Sequence, residues 1–358
     1  MCCQKKVGPQ RVLSPFFSIG VTTGSPKGVR IDMLRECLDS ILGQTFGDFE
    51  IIVGNDFVEH RLSMEELGIH DSRITVINNT ENLGEIDNMN MLLNTSRGFY
   101  FTWLADDDVY FPRYLEIMHR AVTEYGSLKV AFCGFMQGKQ PPLDIPPVED
   151  SIQTYSGPDW LQGYLSKTFP AVGCYGVFER EFMRSLGGTQ KLGSSSFSPY
   201  CDNLLAVQAS LKNKVAYCPD PLMFYRLHNE SISYVSTDYG VYFTAQRDFL
   251  NLAENVFHQP AHSSRRGTYR ALLLDWFIRD YFTVMRRGGT RSLSAIAHYC
   301  LFILKNLRAT DNKTRILANL KSNIFSLYPR LLPFEGVFLK SLSRCKRALL
   351  KVFSRNPG

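Results

Sequence analysis

No stretch of the 358 residues supplies the roughly 18 to 20 uninterrupted apolar residues that a bilayer-spanning helix needs. The closest, Ala295 to Leu304, is short and contains His298. The opening MCCQKKVGPQ has basic residues with no apolar run behind them, so no signal peptide is expected. The nine cysteines fall at irregular spacing without the paired pattern of a zinc site, and a chain this long does not depend on a disulfide framework. Reduced thiols and a cytoplasmic location are the expectation. There is no internal repeat. No cluster of basic and aromatic residues forms a nucleic-acid reading motif, so nucleic acid is not an expected partner.

What is present is ordinary globular material, 44% hydrophobic and 21% charged, which excludes a disordered or fibrous chain. The size suggests one domain of about 200 to 250 residues with an extension, or two domains. The formal charge of +6 is mild but uneven. Val337 to Gly358 carries Lys340, Arg344, Lys346, Arg347, Lys351 and Arg355 with no acid, interleaved with Phe338, Leu342, Leu349 and Phe353. Such a tail reads either as an amphipathic helix on an anionic membrane surface or as the solvated face of a terminal helix. Cys2 and Cys3 beside a basic pair are a weak acylation signal.

The first half alternates short apolar runs with helical patterns, the signature of an α/β fold with a mostly parallel, Rossmann-like sheet flanked by helices. Strands are expected at Phe16 to Val21, Phe49 to Val53, Ile74 to Ile77, Phe99 to Leu104 and Val130 to Phe135. Between Gln137 and Asp150 the prolines 141, 142, 146 and 147 mark a connection or lid. Beyond it come a helix near Trp160, an apolar stretch from Gly173 to Phe178, a helix through Leu204 and Val207, and a short strand at Val215 to Tyr217. From about Ser236 the patterns are mainly helical. The expected organisation is 1–235 as the α/β unit, with 1–136 and 151–235 as its halves, and 236–358 as a helical C-terminal region with a basic tail.

The strongest local signal is Asp106, Asp107 and Asp108 at the end of an apolar strand. Carboxylates this close raise one another's pKa unless a cation neutralises them, and a hard divalent ion is the natural partner. In extended backbone Asp106 and Asp108 point to one side, aiming two oxygens at one place. In open α/β sheets ligands bind beyond the carboxyl ends of strands, and this is such an end. An acidic loop capping the helix at Pro112 is the alternative.

The block ENLGEIDNMNMLLNTSRGFYFTWLADDDVYFPRYLE, Glu81 to Glu116, resembles a family 2 glycosyltransferase of the GT-A fold. It has Asn-x-Gly, a helix, a small-residue-Arg-Gly-x-Tyr turn, a strand, the acidic motif and a proline four residues later. The likeness runs from about Phe16 to Ser233. It implies that Thr22, Thr23, Asn55 and Asp56 surround base and ribose, joined in the nucleotide site by Asn82, Asn90 and Asp107. Asp106 then touches the ribose, and Asp108 holds a divalent metal, Mn²⁺ or Mg²⁺, that bridges the diphosphate. The segment from Tyr200 to Ser233 is similar to the region supplying the catalytic base, which places that role on Asp202; alone, an Asp opening a helix reads as an N-cap. Arg226 or His228 faces the diphosphate or metal. Three positions depart from the pattern: Met89 where the family often has Arg, Ala105 where the acidic motif commonly begins, and Cys201 where a Glu precedes the base.

The resemblance implies a metal-dependent inverting transferase that moves sugar from a nucleotide-sugar donor, UDP-linked by default, to a glycan or lipid-linked acceptor in surface polysaccharide assembly. The tail would allow peripheral contact with the inner face of a membrane. Two rivals are a catalytically silent sugar-nucleotide-binding scaffold, for which Ala105 and Cys201 speak, and a nucleotidyltransferase. Thr22 to Lys27 offers only a weak version of the phosphate loop that the latter needs. Trp160 reads either as an acceptor-stacking ring or as core.

Overall fold

A computed structural model describes residues 14–24, 28–195, 198–229, 231, 236–289 and 292–328. The basic stretch from Val337, and Cys2 and Cys3, lie outside the described residues.

Three strands form the centre of the sheet: β1 (Phe17–Thr23), β2 (Phe49–Asn55) and β4 (Tyr100–Ala105). Nearly every residue in them is buried, as expected for parallel strands covered by helices on both faces. β1 pairs in parallel with β2 and with β4, and β2 with β3 (Ile74–Asn78). The connecting helices are α1 (Ile31–Leu42), the short α2 (Met64–Leu67) and α3 (Glu85–Thr95). The order β3-β2-β1-β4 puts the reversal of strand order between β1 and β4, so the carboxyl ends of β1, β2 and β4 open into one crevice. The Thr95 to Gly98 turn before β4 is structural. Arg97 pairs with buried Glu50 of β2, and a Cβ on Gly98 would stand 2.6 Å from the Ser18 nitrogen.

The second half turns the sheet mixed. After β5 (Val109–Tyr110) and α4 (Tyr114–Thr123), β6 (Val130–Gly138) runs on past the predicted Phe135. β7 (Gln153–Ser156), α5 (Gly157–Leu165), β8 (Val177–Glu179), α6 (Arg180–Ser185), α7 (Cys201–Ala209) and β9 (Lys214–Arg226) follow. β8 is antiparallel to both β4 and β6, while β9 is parallel to β6. The short strand expected at Val215 to Tyr217 is thirteen residues long. Pro219 and Pro221 lie within it, and register shifts opposite them, at Gly134 of β6, absorb the interruption. The extension matters because β9 pairs with β5, Val109 against Phe224, and so lays its last residues beside the acidic trio.

The proline-rich connection carries no helix or strand from 139 to 152 but is tied down: Asp150 accepts from Arg120, and its N–H donates to Asp220 at 2.8 Å. Among the described residues four helices follow: α8 (Tyr239–Phe257), α9 (Arg266–Arg287), α10 (Leu293–Asn306) and α11 (Lys313–Leu327). They share a hydrophobic core with α5 and α7. Buried Gln246 joins them, donating to Tyr200 Oη and the Phe277 carbonyl and accepting from Tyr299. Trp160 is core: fully buried, stacked on Phe132 at 4.5 Å, with its indole N–H on the Ala206 carbonyl. No described helix is long and apolar enough to cross a membrane.

The start of α7 is held by backbone contact with a 3₁₀ turn at Gly173–Tyr175, where a Cβ on Gly173 would sit 1.7 Å from the Asp202 carbonyl oxygen. Gly173→Ala is therefore expected to push α7 off this turn at a cost of about 1–3 kcal/mol. Thermal melting of the variant checks this, and an unchanged midpoint would contradict the contact.

Candidate active site

The acidic trio does not continue β4. The strand ends at Ala105, and residues 106–107 form a turn closed by the Asp108 N–H on the Ala105 carbonyl at 3.2 Å. The carboxylates consequently diverge, unlike the side-by-side pair expected of extended backbone. Asp106 faces β1 and α1: Thr23 Oγ1 donates to Oδ2 at 2.5 Å, and the Arg30 guanidinium bonds Oδ1. Asp108 faces the second half, accepting the Arg226 backbone N–H at 2.6 Å and the Tyr175 hydroxyl at 2.5 Å. Asp107 lies between, 2.7 Å from His228 Nε2 and 3.4 Å from Arg30 Nη2.

Burial and like charge together set the electrostatics. Asp108 is 1% exposed, and its carboxyl is pushed well above the usual range by burial first and by the Asp107 charge second. The hydrogen bonds from Arg226 and Tyr175 pull the other way. Burial also raises Asp106, opposed chiefly by the Arg30 charge. Cys37, beneath the turn, is raised well above an ordinary thiol by burial and the three carboxylates.

Asp56 works through backbone. Its carboxylate accepts the N–H groups of Leu83 and Gly84, both at 2.8 Å, and its carbonyl accepts Asn82 Nδ2 at 2.9 Å. That clamp fixes the turn launching α3 and so places Glu85, the first residue of the helix. Thr22, Thr23, Asp56, Asn82, Asp106, Asp107, Asp108, Asp202 and Arg226 all line one cavity of about 610 Å³. Asn55, Asn90 and His228 are not among its lining residues. Asn55 ties β2 to the next loop through Asn78 and the His60 carbonyl, and Asn90 exchanges two hydrogen bonds with the Thr189 backbone. His228 stands behind Asp107. Arg226 is 3% exposed, with its guanidinium engaged by the Asp107 carbonyl, Gln140 and Glu36.

Asp202, the second residue of α7, lines the same cavity. Burial raises its carboxyl, while the backbone N–H of Asn203 and the charge of Lys167 oppose the rise. Glu85 lines the same space with part of its surface open to solvent, and its carboxyl is pushed up to about 7, first by the protein packed around the cleft, then by the charges of Asp202 and Asp107. Lys167 has φ +65° and sets its ammonium 3.6 Å above the Trp276 ring. Asp280 of α9 is pushed up to about 6 by burial, countered first by Lys167.

Sequence reasoning missed Arg30, Tyr175, Glu85 and Lys167. Arg30 carried a signal, being a cation on the loop after the first strand. Glu85, directly after Asn-x-Gly, is a second. Tyr175 and Lys167 reach the site only through tertiary packing. Among the described residues no group of three or more His, Cys, Asp and Glu is arranged to hold a metal ion. The donor chemistry, carboxylate oxygens with one imidazole, nonetheless suits a hard divalent cation.

Residues 29–185 match the model of Glycosyl transferase family 2. An uncharacterized glycosyltransferase of Rickettsia prowazekii is 31% identical over 127 residues, which are 35% of this chain and 38% of that protein. Glycosyltransferase GlyA of Streptococcus pneumoniae is 36% identical over 94 residues, 26% of this chain and 13% of the relative. The chain thus matches well under half the length of these relatives. In three dimensions it resembles S. aureus TarS 1-349 solved in complex with UDP-GlcNAc, with a TM-score of 0.60 over 91% of this chain and 92% of that one, at 15% identity. The strand-end crevice, the acidic turn of β4 and these matches agree: residues 29–185 are similar to glycosyl transferase family 2, and the chain shares the GT-A fold of TarS.

Proposed function

We propose that this chain moves a sugar from a nucleoside diphosphate donor, UDP-linked, to an acceptor hydroxyl. The observation that carries the proposal is one cavity with the strand-end carboxylates on one wall and Asp202 on the other. The complex of TarS with UDP-GlcNAc supports a uridine donor. Thr22, Thr23, Asp56, Asn82 and Asp106 line the cavity and would surround base and ribose.

Asp202 takes the proton of the acceptor hydroxyl as its oxygen attacks the anomeric carbon. The bond to the diphosphate oxygen breaks, its electron pair leaves with the diphosphate, and a single displacement inverts the centre. Asp202 and Glu85 titrate in environments that separate them, because Asp202 has backbone N–H donors and Lys167, whereas only desolvation and like charges act on Glu85. The N–H donors and the Lys167 charge favour the carboxylate form of Asp202, and no such contact acts on Glu85, which is why the base role falls to Asp202 in this reading. Asp107, Asp108 and His228 would hold Mn²⁺ or Mg²⁺, which supplies positive charge for the leaving diphosphate. A lipid-linked or surface glycan acceptor, reached through peripheral membrane contact of the 337–358 stretch at the inner face, completes the reading.

Titration calorimetry of UDP with and without Mn²⁺ is expected to show metal-dependent binding that Asp108→Ala abolishes. Failure of any nucleotide to bind the folded protein would remove the premise of the transferase reading. Asp202→Asn should leave UDP binding intact and lower UDP-GlcNAc turnover by about 10²–10⁴-fold.

A third expectation concerns pH. The Glu85 carboxyl binds its proton more tightly folded, at about 7, than its ordinary 4.5, so it favours folding in acid and loses that contribution as pH rises through 7. Glu85→Gln should therefore gain thermal stability relative to the native protein between about pH 4.5 and 8. A difference in melting temperature that stays flat over that range would refute the assignment.

A further inference from the structure

The trio is a concentration of negative charge that the chain itself partly neutralises, and the described cations divide into two kinds. Arg226 is committed. Its guanidinium is buried and bonded to the Asp107 carbonyl, Gln140 and Glu36, and only its backbone N–H serves Asp108. Arg30 is placed differently. Its guanidinium bonds Asp106, lies 3.4 Å from Asp107 and comes within 3.2 Å of His228 Nε2, so one side chain gathers the first two acids and the imidazole. It lines the cavity, its side chain is 22% exposed, and it leaves the backbone just before α1, two residues after Gly28 at φ +111°. Its withdrawal would empty no core position.

A divalent ion approaching this site meets carboxylate oxygens already bonded to a guanidinium and a positive charge beside them. A diphosphate offers that guanidinium an equivalent anionic, bidentate partner. We propose that Arg30 is a displaceable counter-cation, offsetting part of the trio's charge when no donor is bound and moving onto the donor's diphosphate as a metal ion takes its place. The inference rests on the nucleotide-sugar reading above and adds to it an order of events: metal and donor enter together, because each makes room for the other.

Mn²⁺ alone, followed by electron paramagnetic resonance on the full chain, tests the first half, and UDP calorimetry at saturating Mn²⁺ tests the second. Arg30→Gln is expected to bind Mn²⁺ about tenfold more tightly than the native protein without nucleotide, and UDP about tenfold more weakly. Arg30→Lys keeps the charge but not the fork, so its Mn²⁺ affinity should stay near native while UDP weakens. Mn²⁺ affinity in Arg30→Gln equal to or below native, or no Mn²⁺ binding by any of the three proteins, overturns the proposal. Should Arg30→Gln fail to fold, Arg30→Lys decides: weakened UDP with native Mn²⁺ affinity supports it, and unchanged UDP affinity sinks it. If the native protein binds no nucleotide yet Arg30→Gln gains Mn²⁺, the transferase reading falls and the counter-cation role is upheld.

Discussion

Repulsion among three consecutive carboxylates is the constraint around which the cavity is arranged. Two unit charges 4 Å apart at an effective dielectric near 20 interact by about 4 kcal/mol, and a domain's whole stability is about 5–15 kcal/mol. Asp106, Asp107 and Asp108 therefore cannot be held together uncompensated. The structure meets the demand by turning them apart and giving each its own partners: Thr23 and Arg30 for Asp106, His228 for Asp107, Tyr175 and the Arg226 N–H for Asp108. These partners come from β1, the loop before α1, the 3₁₀ turn before β8 and the end of β9. The electrostatic need of one turn thus accounts for much of the register of the second half.

That linkage explains why β9 runs on through two prolines. If it ended at Tyr217, neither its pairing with β5 nor the placement of Arg226 beside Asp108 would exist. Gly134 makes the passage possible, since a Cβ there would meet the Pro219 carbonyl at 2.4 Å. The 3₁₀ turn serves two acids at once. Tyr175 donates to Asp108, while Gly173 allows α7 to approach closely enough for Asp202 to face the same cavity. The two walls of the site are therefore set by neighbouring residues of one short turn, which fixes their separation more firmly than contacts through long loops would.

The parallel strands and the trio were legible in the sequence because both are local: buried strands read as apolar runs, and three acids at a strand end stand out against them. The α/β class, the strand positions and the helical C-terminal region follow from periodicity. The directions of the carboxylates did not, since treating Asp106 and Asp108 as extended overlooked a turn whose hydrogen bond closes only after β4 has stopped at Ala105. Asn55 and Asn90 stood in suggestive places, yet each is taken up by a backbone contact that only tertiary structure creates. Arg226 shows the same limit, for the motif draws attention to its guanidinium while Asp108 receives its main chain. Lys167 and Asp280 come from separate segments and meet only because α9 packs on α5.

The α9 helix has a consequence for the site as a whole. Its residues Trp276, Asp280, Thr283 and Arg287 recur at the spacing of one helical face and border the cavity that the trio also lines, while Phe277, Ile278, Tyr281 and Phe282 are buried in the shared core. A helix that needed only to pack would have no use for a carboxylate pushed up to about 6 on that face, nor for a lysine in left-handed backbone held over its tryptophan. Polar groups kept against such costs point to a wall that meets a ligand. Lys167 couples that wall to the reaction, because the same ammonium opposes the rise of both Asp280 and Asp202. A ligand in the space beside α9 would therefore alter the charge environment of Asp202, and under the proposed reading acceptor binding and the basicity of Asp202 are linked through one side chain.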